Sequence, residues 1–336
     1  MIDVFNHILP PAYLAAVDRL STHQQPLMFQ RARQIPAMAN IEARLRVMDA
    51  FPGYQQILSL SSPTVDTLAS GAASVELARR ANESLAALVD KHPDYFRGFV
   101  ATVPMDQPAE AEIEAERAIV KLGAVGIQVY TSSAGFPLDR PETLGLFACM
   151  ANLDRPIWLH PIRSMMMPDY ASEQVSKFDL WWAFGWPHET SIAMGRLVFG
   201  GIFERWPDLA VITHHVGGTI PLFAGRIESG LSVLGTRNSA EHASAVATEL
   251  SEPPLKAFRR FYADTASFGS RAAIECGRDF FGLSHLLFAT DMPFDPEQGP
   301  GYIRDTVEAI QQMGLDDAAQ AALFKGNIER LLRWNS

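Results

Sequence analysis

Cysteine is nearly missing from this chain: Cys149 and Cys276 are the only two in 336 residues. They stand far apart, in stretches patterned as helix. That excludes a disulfide framework and, by count, a cysteine-built metal site. Two such thiols fit a reducing compartment, so the expected location is cytoplasmic. Basic charge is also short. With 28 Lys and Arg against 38 Asp and Glu, the formal net charge is −10. A phosphate backbone needs a basic footprint, so no nucleic-acid partner is expected. No uncharged apolar run approaches the ~18 residues that suggest a membrane span. The opening Met1-Ile2-Asp3-Val4-Phe5-Asn6-His7 is neither basic nor apolar for long enough to read as a signal peptide. No linker rich in Gly, Ser or charge divides the chain, so residues 1–336 read as a single domain.

What is present is an ordinary globular composition, 48% hydrophobic and 20% charged, with length enough to bury a large core. Eight segments carry the strand signature of β-branched and apolar residues: 2–7, 55–60, 96–104, 124–130, 156–161, 209–215, 261–267 and 286–293. Several are nearly continuous apolar runs, as expected of parallel strands covered on their outer face. Helical patterns lie between them, for example at 73–92, 108–122, 142–153, 189–206 and 302–313. This alternation predicts an α/β fold, a (β/α)8 TIM barrel with insertions after strands one and five. Periodicity alone leaves an open sheet as the alternative. Three stretches exceed the usual βα connection: 10–51, 162–188 and 230–254. The middle one contains Phe178-Asp179-Leu180-Trp181-Trp182-Ala183-Phe184-Gly185-Trp186, too aromatic for a solvated loop. Burial against another subunit is the first expectation for it, and substrate contact the second.

A barrel collects its chemistry at the C-terminal ends of its strands. Strand one ends in His7, strand five in His160, strand six in His214-His215 and strand eight in Asp291. A lone strand-end His is more often a hydrogen-bonded core residue, and Asp in that position is commonly a helix N-cap. Four such ends, in a chain with nine histidines, instead point to one mouth and a divalent metal. Neutral imidazole nitrogen and carboxylate oxygen suit Zn2+ and its neighbours. Two-residue alternation puts His7 on the face of Phe5 and Asp3, and His215 on the face of Thr213. His215 is therefore expected in the site and His214 toward the helices. His23, His92, His188, His242 and His285 are expected at the surface or in caps.

The order and spacing of several motifs carry a resemblance. They are Ile2-Asp3-Val4-Phe5-Asn6-His7-Ile8-Leu9-Pro10, Trp158-Leu159-His160-Pro161, and Arg196-Leu197 with Phe203-Glu204-Arg205-Trp206-Pro207-Asp208-Leu209. His214-His215-Val216-Gly217-Gly218, Pro221 and Gly225-Arg226-Ile227 follow, then Tyr262-Ala263-Asp264-Thr265 and Leu287-Phe288-Ala289-Thr290-Asp291-Met292-Pro293-Phe294. Gly326-Asn327 with Arg330-Leu331-Leu332 closes the set. Over nearly its whole length the chain resembles the aminocarboxymuconate-semialdehyde decarboxylase branch of the amidohydrolase superfamily. The resemblance implies a metal held by a His-x-His pair on strand one, a His on strand five and an Asp on strand eight. A strand-six His then sits beside the metal and acts on its water or on the substrate. Position by position, His7, His160 and Asp291 match the ligands, and His215 matches the strand-six His. Phe5 stands where the first member of the pair is expected, and phenylalanine cannot coordinate. γ-Resorcylate decarboxylase resembles this exception, since its first-strand pair is also altered and it still binds metal. Three protein ligands and an open position is the pattern of catalytic zinc sites. One divalent ion is thus expected: Zn2+, Mn2+ or Mg2+. Residues 124–130 hold no Lys that could bridge a second. Arg226 matches an arginine that in relatives reaches a neighbouring active site, which implies a homodimer or higher homo-oligomer.

The leading functional expectation is non-oxidative decarboxylation of an aromatic or unsaturated carboxylic acid. Asp291 and His215 would move the proton, Arg163 would pair with the substrate carboxylate, and Trp181, Trp182 and Phe294 would wall an apolar ring pocket. A metal-dependent hydrolase or hydratase, acting on an amide, lactone or enol acid with Asp291 as base, is the second reading, because fold does not choose between these chemistries. The third is a metal-free barrel with a binding role only, for which Phe5 is the support.

Overall fold

Strands that are apolar on both faces have to be covered on both, and the eight predicted segments assemble accordingly. The computed structural model describes residues 1–231, 233 and 250–334. The first barrel strand comes in two pieces, β1 (Ile2–Asp3) and β2 (His7–Ile8), both pairing with β3 (Gln55–Leu60). Then come β4 (Phe96–Thr102), β5 (Gly126–Tyr130), a small hairpin of β6 (Ser132–Ser133) and β7 (Phe136–Pro137), β8 (Ile157–His160), β9 (Val211–Thr213), β10 (Tyr262–Asp264) and β11 (Leu286–Leu287). The main sheet runs β1-β3-β4-β5-β8-β9-β10-β11, and its neighbours pair in parallel. Backbone bonds from Val4 N to Phe288 O (2.9 Å), Asp291 N to Phe5 O (3.0 Å) and His7 N to Met292 O (2.9 Å) join the last strand to the first. The sheet is a (β/α)8 barrel.

Alternation sorts the strand side chains. Ile57, Val100, Trp158, Ile212 and Leu287 point inward and fill the barrel with Ile2, Val4 and Phe5. Leu58, Phe99, Ala101, Ile157, Leu159 and Val211 point outward, into the layer under the helices. The Ala72–Lys91 helix meets its part of that shell with Leu85 and Ala86, and turns Leu77, Ala78 and Ala81 of the same buried stripe toward the first insertion. Gly126 is fixed by crowding, because a Cβ there would overlap the Trp158 ring.

The ladders of β9, β10 and β11 are shorter than their apolar runs predict, because side chains take over the backbone bonds at their C-terminal ends. The Asp264 carboxylate accepts from Val216 N (3.2 Å) and Ala266 N (3.1 Å), and Thr265 Oγ1 bonds both Ala289 O (3.0 Å) and Ala289 N (2.9 Å). Asp3 splits the first strand in the same way, accepting from Phe5 N (3.1 Å) and Thr290 N (3.3 Å).

Between β2 and β3 the chain forms helices Pro11–Leu20, Leu27–Ala32, Pro36–Ala39 and Ile41–Asp49. They pack a second core around Leu9, Tyr13, Val17, Phe29 and Met38, shared with Leu77, Ala78 and Ala81 of the Ala72–Lys91 helix. The last of them sends the buried Arg44 under the barrel mouth, donating to His7 O (2.8 Å), Ala37 O (3.1 Å), Gln56 Oε1 (2.8 Å) and Asn6 Oδ1 (2.5 Å). Burial lowers this guanidinium to about 10. After β8, residues 161–179 are irregular and lead through Leu180–Ala183 into the Gly185–Phe199 helix. Most of the third long stretch, 230–254, lies outside the described residues, His242 included.

Candidate active site

Strand ends place the site. His7 opens β2 and His160 ends β8, and both are buried. Asp291 follows β11 with φ +65°, a left-handed backbone that turns its carboxylate back into the mouth. Its Oδ1 lies 2.9 Å from His7 Nε2 and 3.6 Å from His214 Nε2, and its Oδ2 3.5 Å from His215 Nε2. The structure therefore brings His7, His160, His215 and Asp291 together, as the sequence predicts.

It corrects the placement of His214. Thr213 faces the helices, donating to Met194 Sδ (3.5 Å), and Ile212 fills the barrel. His214 therefore points inward, fully buried. Its ring stacks on Phe5 with centroids 3.9 Å apart and an interplanar angle of 18°. His215 reaches the same mouth by another route. It leaves the strand with φ +52°, followed by Val216 at +57°. Two successive left-handed residues, one of them β-branched, hold strained backbone. Alternation runs through His214 and breaks at His215, so both histidines enter the site.

The nitrogen accounting shows what this cluster can hold. Both ring nitrogens of His7, Nε2 of His214 and Nδ1 of His215 are buried without a hydrogen-bond partner, the His7–Asp291 contact lacking hydrogen-bond alignment. Buried polar atoms left this way call for an unlocated partner. Ligand atoms of His7, His160 and His214 lie within 4.8 Å of one another, as do those of His214, His215 and Asp291. His160 Nδ1 lies 2.6 Å from Pro161 O, which leaves Nε2 free. Burial holds His7 and His215 below the ordinary imidazole range and His160 well below it, the neighbouring imidazoles adding to the effect. These rings are thus neutral, the form a metal takes. Burial also works against His214 charging, but Asp264 and Asp291 outweigh it and raise that ring to about 9. Burial opposes the Asp291 charge too; contacts with His214, His215 and His7 nevertheless hold it well below the usual carboxylate range. An ionised carboxylate among three neutral imidazoles, with a fourth that a bound cation would have to deprotonate, fits a divalent cation.

Beside the cluster opens a cavity of about 560 Å³ lined by Trp182, Trp186, His215, Val216, Phe268 and Cys276, among others, within the size range of small-molecule sites. Phe294 lies against His7 (5.6 Å between centroids). Trp181 packs edge-on against Trp186 rather than on the cluster. The Arg163 guanidinium is paired with Glu189 (2.7 Å). Arg226 is exposed on the Ala224–Leu231 helix. The aromatic run splits. Phe178 and Phe184 are 89% and 72% exposed, whereas Trp186 is buried edge-on against His160 (5.5 Å, 72°).

Sequence reasoning assigned no role to Trp186, Asp264 or Tyr130, whose ring lies 5.1 Å from His160. Asp264 was visible as an acidic residue closing an apolar run, at the same barrel end as the histidines. The other described histidines stay out of the site. His23 and His188 are exposed, His92 caps the Ala72–Lys91 helix, and His285 stacks on Tyr262 (4.3 Å).

Comparison with known proteins agrees with this geometry. The amidohydrolase family model matches residues 2–334. The chain is 30% identical over 310 residues to a γ-resorcylate decarboxylase of Polaromonas sp. (strain JS666), covering 88% of this chain and 87% of the relative. It is 27% identical to a 2-amino-3-carboxymuconate-6-semialdehyde decarboxylase of Dictyostelium discoideum, over 71% of this chain and 62% of that one. Among solved structures, a dihydroxybenzoic acid decarboxylase from Polaromonas sp. JS666 with bound manganese and 2-nitroresorcinol superposes with a TM-score of 0.79 at 23% identity, covering 100% and 97% of the two chains. A family match from end to end, with a 30% identical relative aligned over most of both chains, establishes that this chain belongs to the amidohydrolase family, on the branch that contains these decarboxylases.

Proposed function

We propose that the chain is a metal-dependent, non-oxidative decarboxylase, a carboxy-lyase, of an aromatic or unsaturated carboxylic acid, and that residues 1–336 act as one barrel domain. The observation that carries this reading is the meeting, at one mouth, of unpartnered buried imidazole nitrogens with Asp291 beside a largely apolar cavity. The decarboxylase activity of the relatives, and the manganese bound by one of them, support it. His7, His160 and Asp291 would hold one divalent ion, Zn2+, Mn2+ or Mg2+. When bound, that ion supplies positive charge that orients the substrate carboxylate and stabilises charge developing beside it.

The chain's own residues do the rest. Trp182, Val216 and Phe268 receive the apolar ring, and Phe294 covers the His7 side. Trp181 buttresses Trp186 from behind, while Arg163 ties the loop after strand five to Glu189. Loss of CO2 breaks the bond from the carboxyl group to the ring or vinyl carbon; its electron pair stays on that carbon, which takes a proton in exchange. His215, neutral at rest, takes up a proton from solvent, the ionised Asp291 beside it holds that proton on the imidazole as the relay, and His215 delivers it to the carbon.

The test is CO2 release from hydroxybenzoates and muconate semialdehydes, by protein loaded with each of the three ions. Amide and lactone hydrolysis is followed in parallel. Stoichiometric CO2, abolished in Asp291→Asn, is expected. Hydrolysis or hydration without CO2 would replace this reading with the hydrolase one.

We also infer a homodimer or higher homo-oligomer in the cytoplasm. Exposed Phe178, Phe184 and Leu222, with Arg226 on an exposed helix face, support the first. Two free thiols support the second. Light scattering on the purified protein reads the oligomeric state directly.

A further inference from the structure

Position 5 lacks the imidazole that a strand-one pair would supply, yet the mouth has one to spare. We propose that His214 is a metal ligand that takes the place Phe5 gives up, with Asp264 as the carboxylate that orients it. This rests on the metal-dependent reading above.

Place is the first argument. The His214 ring lies face to face with Phe5 at 3.9 Å, directly beside the side chain expected to ligate. It is buried with His7 and His160, and the ligand atoms of all three lie within 4.8 Å of one another.

The second argument is which nitrogen is free. His214 Nδ1 donates to Asp264 Oδ2, so Nε2 points toward the cluster, where a bound cation would displace its proton and take the lone pair. There it has no hydrogen-bond partner, and it lies 3.6 Å from Asp291 Oδ1. A histidine kept for packing alone would have both buried nitrogens bonded. Carboxylate to imidazole to metal is how ligating histidines are generally fixed in tautomer and direction. His160 follows the same rule with a carbonyl, its Nδ1 against Pro161 O.

The third argument is that the orienting group is itself fixed. Asp264 is fully buried, and its other oxygen accepts from Val216 N and Ala266 N (3.2 and 3.1 Å). Phe5 then has a positive role, since its flat face supports the ring that replaces its own ligand.

The experiment is Mn2+ titration followed by electron paramagnetic resonance, with pulsed spectra to count coordinated imidazole nitrogens. It uses the wild-type protein, His214→Gln and Asp264→Asn, each checked for folding by circular dichroism. One Mn2+ with three imidazoles is expected in the wild type. His214→Gln should show two imidazoles and weaker binding. Asp264→Asn should keep three and lose about 10–100-fold in affinity, the usual cost of removing an orienting partner. Wild-type protein with Mn2+ on two imidazoles, or His214→Gln with an unchanged count and affinity, would overturn the ligand assignment and leave the metal reading standing. Wild-type protein that takes up no Mn2+ would overturn both.

Discussion

The two sides of the barrel mouth are built on opposite rules. Under the first and last strands, Asp3, Asn6, Arg44, Tyr54, Gln56 and Thr290 form a buried hydrogen-bonded network beneath His7 and Asp291. Beyond the fifth, sixth and seventh strands, the wall is Trp182, Leu222 and Phe268, partly or largely exposed and held by ring contacts and packing. The difference teaches how the work is divided. Groups that handle charge need fixed geometry and satisfied neighbours, whereas an apolar wall can change shape without stranding a polar atom. Substitutions on the first side should cost chemistry or folding, and those on the second should cost affinity alone.

His160→Ala breaks the comparison hardest. It removes a proposed ligand that does not itself line the cavity, although Trp186, which does, packs against its ring. Loss of the bound ion forfeits several kcal/mol of charge stabilisation, on the order of 10³-fold in kcat/KM. Metal analysis of the same preparation should find the ion gone. Full metal content with normal turnover would remove His160 from the site.

Arg44→Met comes next, and its effect falls on stability. It strands His7 O, Ala37 O, Asn6 Oδ1 and Gln56 Oε1 in a buried site. Each stranded acceptor costs about 1–3 kcal/mol, so a loss of about 3 kcal/mol or more is expected. A urea midpoint close to wild type would show that the network is not what holds His7.

The contrast also explains what could be read in advance. The barrel was legible because eight apolar runs alternating with helical periods have few other ways to bury themselves. His7, His160 and Asp291 were legible because they end those runs. His214 was not: Val211 and Ile212 are buried on opposite faces, so apolarity does not say which face is inside. Nor does composition announce that His215 and Val216 turn left-handed. The network around Arg44 was hidden for another reason, since its parts come from residues 3 to 290 and meet only in the closed barrel. Trp186 was hidden by its company, in a run where Phe178 and Phe184 point to solvent.

The same network should leave a signature in pH. Burial raises Asp3 to about 7, only partly countered by bonds from Thr290 and Tyr54. An unfolded aspartate titrates near 3.9, so between roughly pH 4 and 7 the folded state keeps a proton that the unfolded state has released. Stability contributed by this group is complete below pH 4, falls as pH rises and is gone above about 7. The slope is at most about 1.4 kcal/mol per pH unit for one proton. Asp3→Asn should flatten the wild-type curve over that window and lower stability at its acid end. Parallel curves, measured with chelator present, would mean that Asp3 stays ionised.

On the opposite wall the smallest change is expected from Trp182→Ala. Its indole lines the cavity and packs against Phe268 and Trp186. Losing about 50 Å² of ligand contact, at about 25 cal/mol per Å², costs about 1.3 kcal/mol, close to tenfold in affinity. Contact made equally with substrate and transition state appears in KM and leaves kcat unchanged. Cys276 offers a second readout, because this free thiol lines the same cavity and burial raises its pKa. A bound aromatic acid should slow its alkylation, and Trp182→Ala should need about ten times more acid for equal protection. A fall in kcat as large as the fall in kcat/KM would instead put Trp182 with the groups that handle charge, and the division between the two sides would fail.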